Sequence, residues 1–338
     1  MSAQDTPPAV ELHVHVEGTL EPELIGELAD RGGVALPSAD LDDLRARYAF
    51  TDLGHFLDLY YANMAVLRTA EDFAAMTRAY LERAAEGGVR HVELFVDPQA
   101  HLARGVPLEA VLEGVAGALA AAPVGMTTGL IPCFLRDRPV AEALEVLDAL
   151  VRSDVAFLGV GLDSAEVGHP PSDFAEVYAR ARAEGLRLVA HAGEEGPAAY
   201  VTEALDVLGV ERIDHGIRSL DDPALVRRLA EAAVPLTVCP LSNVRLRAVD
   251  TLADHPLARM LDAGLAVSVH SDDPAYFGGY VDDNHRAVAE ALELSPDQVR
   301  TLAENAVEAA FVDDARRAEL RAEVAAWAAG RDGARPSS

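Results

Sequence analysis

The sequence predicts an α/β protein in which eight parallel strands and their connecting helices close into a (β/α)8 TIM barrel, with a helical insertion after the first strand. Short apolar runs rich in β-branched residues alternate with longer Ala-, Leu-, Glu- and Arg-rich stretches of helical periodicity. This alternation is typical of a parallel sheet, and eight such units close a barrel. A doubly wound open sheet is the structural alternative, but no GxGxxG loop follows the first strand.

Each predicted element has a defined place in the 338 residues. We expect one domain, residues 9–331, between disordered termini at 1–8 and 332–338, because no low-complexity linker divides the chain. The predicted strands are 10–16, 89–95, 128–134, 157–162, 186–190, 212–214, 236–239 and 266–269. The clear helices are 107–121, 140–152, 172–184, 198–208 and 223–233.

The segment between the first two strands, residues 18–88, is far longer than one crossover helix. It contains helical patterns at 55–66 and 70–85. An insertion after a barrel strand lies at the rim where active sites are built, so we expect it to form a lid. Plain peripheral packing is an equally open interpretation.

Composition limits the classes of partner. The chain carries 28 basic and 56 acidic side chains, a net charge of -28, which disfavours nucleic acid and favours a small neutral or cationic substrate. No apolar run approaches the ~20 residues of a membrane helix, so we expect no membrane partner. The N-terminal residues lack signal-peptide features, and we expect a cytoplasmic protein with Cys133 and Cys239 as reduced thiols. The oligomeric state stays open.

Lysine is missing from the sequence, so arginine supplies the basic side chains other than histidine. This excludes a Schiff-base enzyme, which needs a lysine amine. It also excludes the hydrolases in which a carboxylated lysine bridges two metal ions.

The pair His13 and His15 is the strongest chemical signal in the chain. Side chains alternate along a strand, so the two imidazoles point to the same face. Their neighbours are mostly apolar, and burying two imidazoles costs free energy unless each has a partner. Alone, the pair predicts equally well a metal clip and two core histidines bonded to backbone.

Polar residues recur where later predicted strands end, the positions that face the active site of a barrel. Several imidazoles with a carboxylate suit a divalent ion such as Zn2+, whose bound water becomes a nucleophile. By residue type and position, His215 is the candidate general base and Glu194 the candidate acid. The residues in question are Asp163 and Glu166, His191 and Glu194, His215, Cys239 to Asn243, and Asp272 and Asp273.

Five segments, in this order along nearly the whole chain, resemble motifs of the adenosine/adenine deaminase family of the amidohydrolase superfamily. The similarity is greatest to the adenine deaminases. The segments are HVHVEGTL at 13–20, HAGE at 191–194, DHG at 214–216, CPLSN at 239–243 and SDDP at 271–274.

The resemblance implies zinc-dependent hydrolytic deamination of a 6-aminopurine, with adenine converted to hypoxanthine and ammonia. It implies that Glu194 protonates the ring nitrogen beside the attacked carbon and that His215 takes the proton of the attacking water. Asp273 would hold the imidazole side of the purine. One zinc ion per chain would be bound by His13, His15, His191 and Asp272.

Two positions bear on whether the substrate is a free base. Family members that act on adenosine have aspartate at the position of Glu17 and glycine at that of Glu166. The longer Glu17 would intrude on the space of a sugar, and Glu166 could accept the ring N–H that only a free base carries. We therefore expect both to bind substrate and adenine to be preferred over adenosine or a modified adenine nucleoside. The alternatives are that the two glutamates are solvated or paired with arginine.

His270 departs from the family, which usually has asparagine there. It could share a face with Asp272 near the metal or substrate, but we favour a hydrogen bond to the neighbouring strand. Three other functions fit the sequence less well. A nucleic-acid deaminase would need an HxE…PCxxC zinc signature, which is missing from the sequence. Paired metals would favour a hydrolase of amides or phosphotriesters, but the missing lysine and the HAGE motif at 191–194 argue against it, and a purine- or zinc-binding barrel without turnover would not need Glu194 and His215.

Overall fold

The computed structural model describes residues 6–38, 40–50 and 53–332. The predicted disordered termini therefore fall mostly outside the described residues. Residues 6–8 lead into the first strand, and residue 332 ends the last helix. Helices long and apolar enough to cross a bilayer are absent from these ranges.

Within those ranges eight parallel strands follow one another around a single sheet, each paired with the next in sequence. The predicted (β/α)8 barrel is therefore confirmed, and every predicted strand overlaps an observed one. The strands are β1 Ala9–His15, β2 Val89–Val96, β3 Thr127–Leu135, β4 Gly159–Asp163, β5 Arg187–Ala192, β6 Arg212–His215, β7 Pro235–Val238 and β8 Ala266–Val269.

The barrel closes where the chain just after β8 meets β1. Val14 and Asp272 form a parallel bridge there. The backbone N–H of His15 donates to the carbonyl of Asp272 at 2.9 Å, and the N–H of Asp272 donates to the carbonyl of His13 at 3.0 Å. The seam thus passes through residues that the sequence predicts as metal ligands.

His270 completes the same seam. Its Nδ1 accepts the backbone N–H of Leu12 at 3.1 Å, and its Nε2 lies 2.7 Å from the hydroxyl of Ser268. The imidazole replaces a carbonyl acceptor for a buried N–H that would otherwise lack one. This confirms the hydrogen bond to the neighbouring strand that we favoured for His270.

The insertion between β1 and β2 is helical, as predicted. Its longest helix begins at a capping box in which Thr69 and Asp72 each accept a hydrogen bond from the other's backbone N–H. The helices are α1 Pro22–Gly32, α2 Leu41–Ala46, α3 Leu53–Asn63 and α4 Ala70–Glu86.

The other helices surround the barrel and bury their apolar faces against the strands. Among them, α15 begins at a second capping box, formed by Ser295 and Gln298. The helices are α5 Pro98–Leu102, α6 Leu108–Ala120, α7 Val140–Arg152, α8 Ala175–Ala183, α9 Ala198–Glu203, α10 Pro223–Glu231, α11 Pro240–Arg245, α12 Leu257–Asp262, α13 Pro274–Phe277, α14 Val281–Ala291, α15 Pro296–Ala309 and α16 Asp314–Asp332.

A buried ion pair lies inside the barrel, farther from the C-terminal ends of the strands than the imidazoles are. Arg212, the first residue of β6, is fully buried, and its Nη1 donates to Glu93 Oε2 at 2.6 Å. Glu93 also accepts the backbone N–H of Phe311, whose ring lies 4.7 Å below the guanidinium carbon. The segment after α15 thereby packs onto the barrel. Cys133 and Cys239 are free buried thiols, as expected.

Replacing Arg212 with methionine should lower the free energy of unfolding by about 3–5 kcal/mol, because the buried charge of Glu93 would lose the guanidinium that balances it. Urea denaturation followed by circular dichroism measures the change. Adding Glu93→Gln to the same chain should recover part of the loss. Arg228→Met is the matched control: it breaks a half-exposed pair with Asp206 and should cost less than about 1 kcal/mol. Equal losses for the two arginines would contradict the assignment.

Candidate active site

The four predicted metal ligands meet at the C-terminal ends of the barrel strands. His13 and His15 come from β1, His191 from β5, and Asp272 from the turn after β8. Their potential ligand atoms all lie within 4.8 Å of one another, and all four residues are buried. The Nε2 atoms of His15 and His191 are 3.2 Å apart, and Asp272 Oδ1 is 3.5 Å from His15 Nε2 and from His13 Nε2.

The protonation of these groups suits a cation. Nδ1 of His13 lies 3.1 Å from the carbonyl of Thr237 and donates to it, which leaves a lone pair on Nε2. Within the described part of the chain this buried Nε2 has no hydrogen-bond partner. Burial lowers the pKa of His15 to about 4, so that its imidazole is neutral. Converging buried lone pairs are unfavourable unless a cation lies between them, and three nitrogens with one carboxylate suit a divalent metal.

Burial alone would raise the pKa of Asp272, but the imidazole of His13 and its neighbours hold that pKa well below the usual range. The carboxylate is therefore ionised. With His13, His15 and His191 in the neutral form that metal ligation requires, it would form a ligand set of charge −1, which favours a divalent cation.

Oxygen atoms stand behind each of the three imidazoles. Thr237 Oγ1 donates to Asp214 Oδ1 at 2.7 Å, and Asp214 Oδ2 lies 3.7 Å from Nδ1 of His191. Asp163 Oδ2 lies 3.6 Å from Nδ1 of His15. Only the Thr237 contact is at hydrogen-bond distance; the two carboxylates lie slightly beyond it, close enough for a small shift to let them orient the ligating imidazoles.

Asp214 was predicted only as part of the DHG motif at 214–216, without a contact to the histidines. The parallel register that pairs it with His191 is the signal that places the two side by side, and that register is visible only in the folded barrel.

His215 and Asp272 both have left-handed backbone, with φ of 65° and 66°. Non-glycine residues adopt this region at a cost of about 1–3 kcal/mol, and such residues concentrate at functional sites. The two turns bring His215 Nε2 to 3.7 Å from Asp272 Oδ2. The predicted base therefore lies directly beside the cluster of predicted metal ligands.

The predicted acid and base are adjacent. Glu194 Oε2 lies 3.4 Å from Nε2 of His215, and Asn243 Nδ2 donates to Glu194 Oε1 at 3.2 Å. The same amide nitrogen lies 3.3 Å from His215 Nδ1, and Asn243 Oδ1 lies 3.2 Å from the imidazole of His255. Asn243 thus bridges acid and base. Asn243 belongs to the CPLSN motif, but its contacts with the acid and the base are not visible in the sequence. His255 belongs to none of the motifs and was not predicted as a site residue.

Burial shifts the pKa of the base downward and the pKa of the acid upward, so that both groups are neutral. It lowers the pKa of His215 to about 3, so that the imidazole is neutral and able to accept a proton. Burial and the negative charges of Asp272, Glu195 and Glu166 raise the pKa of Glu194 well above its ordinary value. A neutral imidazole beside a protonated carboxyl is the arrangement that acid–base catalysis requires.

A cavity of about 530 Å³, including its open mouth, leads to these groups. Asp273 lines it, and burial together with the charge of Asp272 raises the pKa of Asp273 well above its ordinary value. The insertion supplies an apolar and aromatic wall from α3, namely Phe56, Leu57, Tyr60 and Tyr61. This places α3 against the site; whether it moves as a lid stays a prediction.

Glu17 and Glu166, both expected to bind substrate, lie differently with respect to the cavity. Glu17 is fully buried, and its Oε1 accepts the backbone N–H of Asp97 at 3.1 Å and lies 2.7 Å from Nε2 of His101. It is not among the side chains that line the described cavity. Glu166 does line the cavity, but its oxygens bind the backbone of residues 193–196. Burial of both side chains shows that the solvated alternative was wrong.

Comparison with known proteins agrees with this geometry. The sequence model of the adenosine deaminase family matches residues 8–327. The chain belongs to that family. Adenine deaminase from Streptomyces coelicolor is 61% identical over 324 residues, 95% of each chain. Adenine deaminase from Cupriavidus necator is 57% identical over 319 residues, which cover 94% of this chain and 91% of the relative.

Solved structures give the same result for the fold. Adenine deaminase from Arthrobacter aurescens superposes with a TM-score of 0.94 at 61% identity, over 95% of this chain and 99% of that one. An amidohydrolase from Burkholderia ambifaria with bound Zn superposes with a TM-score of 0.86 at 30% identity, over 98% and 92% of the two chains. The family and its barrel are therefore established for this chain.

Replacing Asp214 with alanine should weaken metal binding about 10- to 100-fold, because His191 and the Thr237 contact to His13 would lose their orienting carboxylate. Competition with a chromophoric chelator measures the affinity directly. Asp221→Ala, at an exposed residue paired with Arg218, is the control and should bind metal as the parent does. An unchanged affinity in Asp214→Ala would show that the carboxylate does not support the ligands.

Proposed function

We propose that this protein is a zinc-dependent hydrolase that removes the 6-amino group of adenine, giving hypoxanthine and ammonia. One observation carries the reaction class: the pair Glu194 and His215, 3.4 Å apart, lies beside a His3Asp cluster with the acid protonated and the base neutral. The substrate is supported by relatives named adenine deaminase at 55–61% identity.

Zinc is the ion we propose for the cluster. Neutral imidazoles and one carboxylate are ligands that Zn2+ favours, and a 30% identical amidohydrolase was solved with bound Zn. When bound in a site with one open position, zinc lowers the pKa of a coordinated water to about 7. His13, His15, His191 and Asp272 would hold it.

Glu194 supplies the first proton. A protonated carboxyl aimed into the cavity can donate to the purine N1, which draws electrons from C6 and makes that carbon electrophilic. Asn243 fixes the carboxyl by donating to its other oxygen. The proton is available at neutral pH because burial keeps the pKa of Glu194 high.

His215 moves the second proton. As the water oxygen bonds to C6, the neutral imidazole accepts a proton from the water and then passes it to the amino group. The C6–N bond breaks and ammonia leaves with that proton. The remaining hydroxyl proton returns to Glu194, so that C6 becomes a carbonyl, N1 keeps its proton and the acid is regenerated.

Asp273 orients the ring. Because burial and Asp272 keep it protonated, its hydroxyl can donate to N7 of the purine, which has only a lone pair to offer. Tyr60 and Phe56 from α3 then cover the ring and exclude bulk water. Since Glu17 does not line the cavity, support for a free base rests on the relatives rather than on that residue.

A side-by-side assay decides the substrate. We expect kcat/KM for adenine to exceed that for adenosine by about 10- to 200-fold, the range that one pocket contact or clash provides. Loss of the adenine absorbance, with ammonia measured in parallel, reports the reaction. Faster turnover of adenosine would overturn adenine as the substrate but leave the deaminase reaction intact.

Glu194→Gln should lower kcat about 100- to 10,000-fold, because the amide keeps the shape of the side chain but cannot donate an acidic proton. Metal content should stay at the parent level, since Glu194 is not in the cluster of ligands. Glu184→Gln, at an exposed residue beyond α8, is the matched control. Full activity in Glu194→Gln would exclude it as the proton donor.

A further inference from the structure

The turn after β5 folds around one buried carboxylate. Glu166 Oε1 accepts the backbone N–H of Gly193 at 2.6 Å, and Oε2 accepts those of Glu194, Glu195 and Gly196 at 3.0, 2.9 and 2.8 Å. Glu166 itself is only 3% exposed. Successive N–H groups that converge on one anion form a nest, and hydrogen bonds to an ionised acceptor are about twice as strong as neutral ones.

The two glycines of this turn are required by the contact. Gly193 has φ of 72°, in the left-handed region that favours glycine. A Cβ on Gly196 would lie 2.6 Å from Oε1 and Cδ of Glu166, closer than such atoms approach. The Gly-Glu-Glu-Gly backbone of residues 193–196 is therefore shaped to receive the carboxylate of Glu166.

Glu194 is the second residue of this turn. Its carboxyl extends from the turn to the amide of Asn243 and the imidazole of His215. The direction of that side chain depends on the backbone of the turn, and the turn is held by Glu166. A displacement of about 1 Å in a catalytic group can cost about 100-fold in rate.

We propose that Glu166 is a positioning residue: through the backbone of residues 193–196 it holds Glu194 in the place from which it protonates the substrate. This inference rests on the proposed function and extends it to a residue whose expected role was to bind the substrate. The three N–H groups on Oε2 occupy that oxygen, so a ring N–H of the substrate could reach Glu166 only at Oε1, which it would share with the N–H of Gly193.

The charge of Glu166 acts in the same direction. After burial and the charges of Asp272 and Glu195, the negative charge of Glu166 also raises the pKa of Glu194. One carboxylate thus supports both the position and the protonation of the acid. Glutamine at 166 would remove the charge. It would also place an amide NH2 against backbone N–H groups, and an NH2 group cannot accept their hydrogen bonds.

The kinetic test separates positioning from substrate contact. In Glu166→Gln we expect kcat to fall about 10- to 100-fold with KM within about twofold of the parent. Glu166→Asp keeps the charge on a shorter side chain and should recover part of kcat. Glu203→Gln is the matched control, because Glu203 also accepts a backbone N–H, that of Ser172, outside the cavity. A rise in KM with unchanged kcat would instead make Glu166 a substrate contact and overturn the proposal.

A double-mutant cycle tests whether Glu166 acts through Glu194. In the Glu194→Gln background, Glu166→Gln should lower the residual rate by less than about twofold, because the group it positions is already lost. If Glu166→Gln lowers the rate equally in both backgrounds, the role is general structural support and the proposal fails.

Hydrogen exchange provides a readout that does not depend on turnover. Amides of residues 193–196 should exchange faster in Glu166→Gln than in the parent, while amides of β1 should be unchanged. Unchanged exchange in the turn would overturn the proposal. If the parent deaminates no 6-aminopurine, the proposed function fails, and the exchange experiment still decides whether Glu166 holds the turn. Should Glu166→Gln not fold, Glu166→Asp carries the same measurements.

Discussion

The closure of the barrel between β1 and the turn after β8 is the constraint on which the rest of the structure depends. The backbone hydrogen bonds of that seam join His13, His15 and Asp272, which are also three of the four residues proposed to bind the metal. Residues near the two ends of the barrel sequence therefore meet only if the sheet closes. A metal bound there would hold the same seam that His270 stabilises from within by accepting a buried N–H.

The buried carboxyl groups of this acidic chain differ in protonation state because their surroundings differ. Asp272 stays ionised because imidazoles face it, whereas Glu194 and Asp273 are kept protonated by burial and by neighbouring negative charge. The same side-chain chemistry is therefore suited to the proposed roles of metal ligand, proton donor and hydrogen-bond donor. Which role each carboxyl takes depends on what lies within a few ångströms of it.

Two further carboxylates act on backbone. Glu166 holds the turn that carries Glu194. Glu11, in β1, accepts the backbone N–H of Ser271 at 3.2 Å and also its hydroxyl, and so holds the turn that carries Asp272. Catalytic turns at the ends of short strands have few ladder hydrogen bonds of their own. A buried carboxyl group supplies fixed acceptors in their place.

The sequence by itself predicted the barrel and its strand order, because apolar strand runs that alternate with helical periodicity are local patterns. It also placed Glu194 and His215 at one end of the barrel, whereas the set of three histidines and Asp272 followed from the family resemblance. The tertiary structure alone showed that Glu17 and Glu166 accept backbone N–H groups, since a glutamate that binds backbone and one that does not look the same in sequence. It also decided the contacts of Asp214 and Asn243, which depend on the register between neighbouring strands and on turns far apart in the chain.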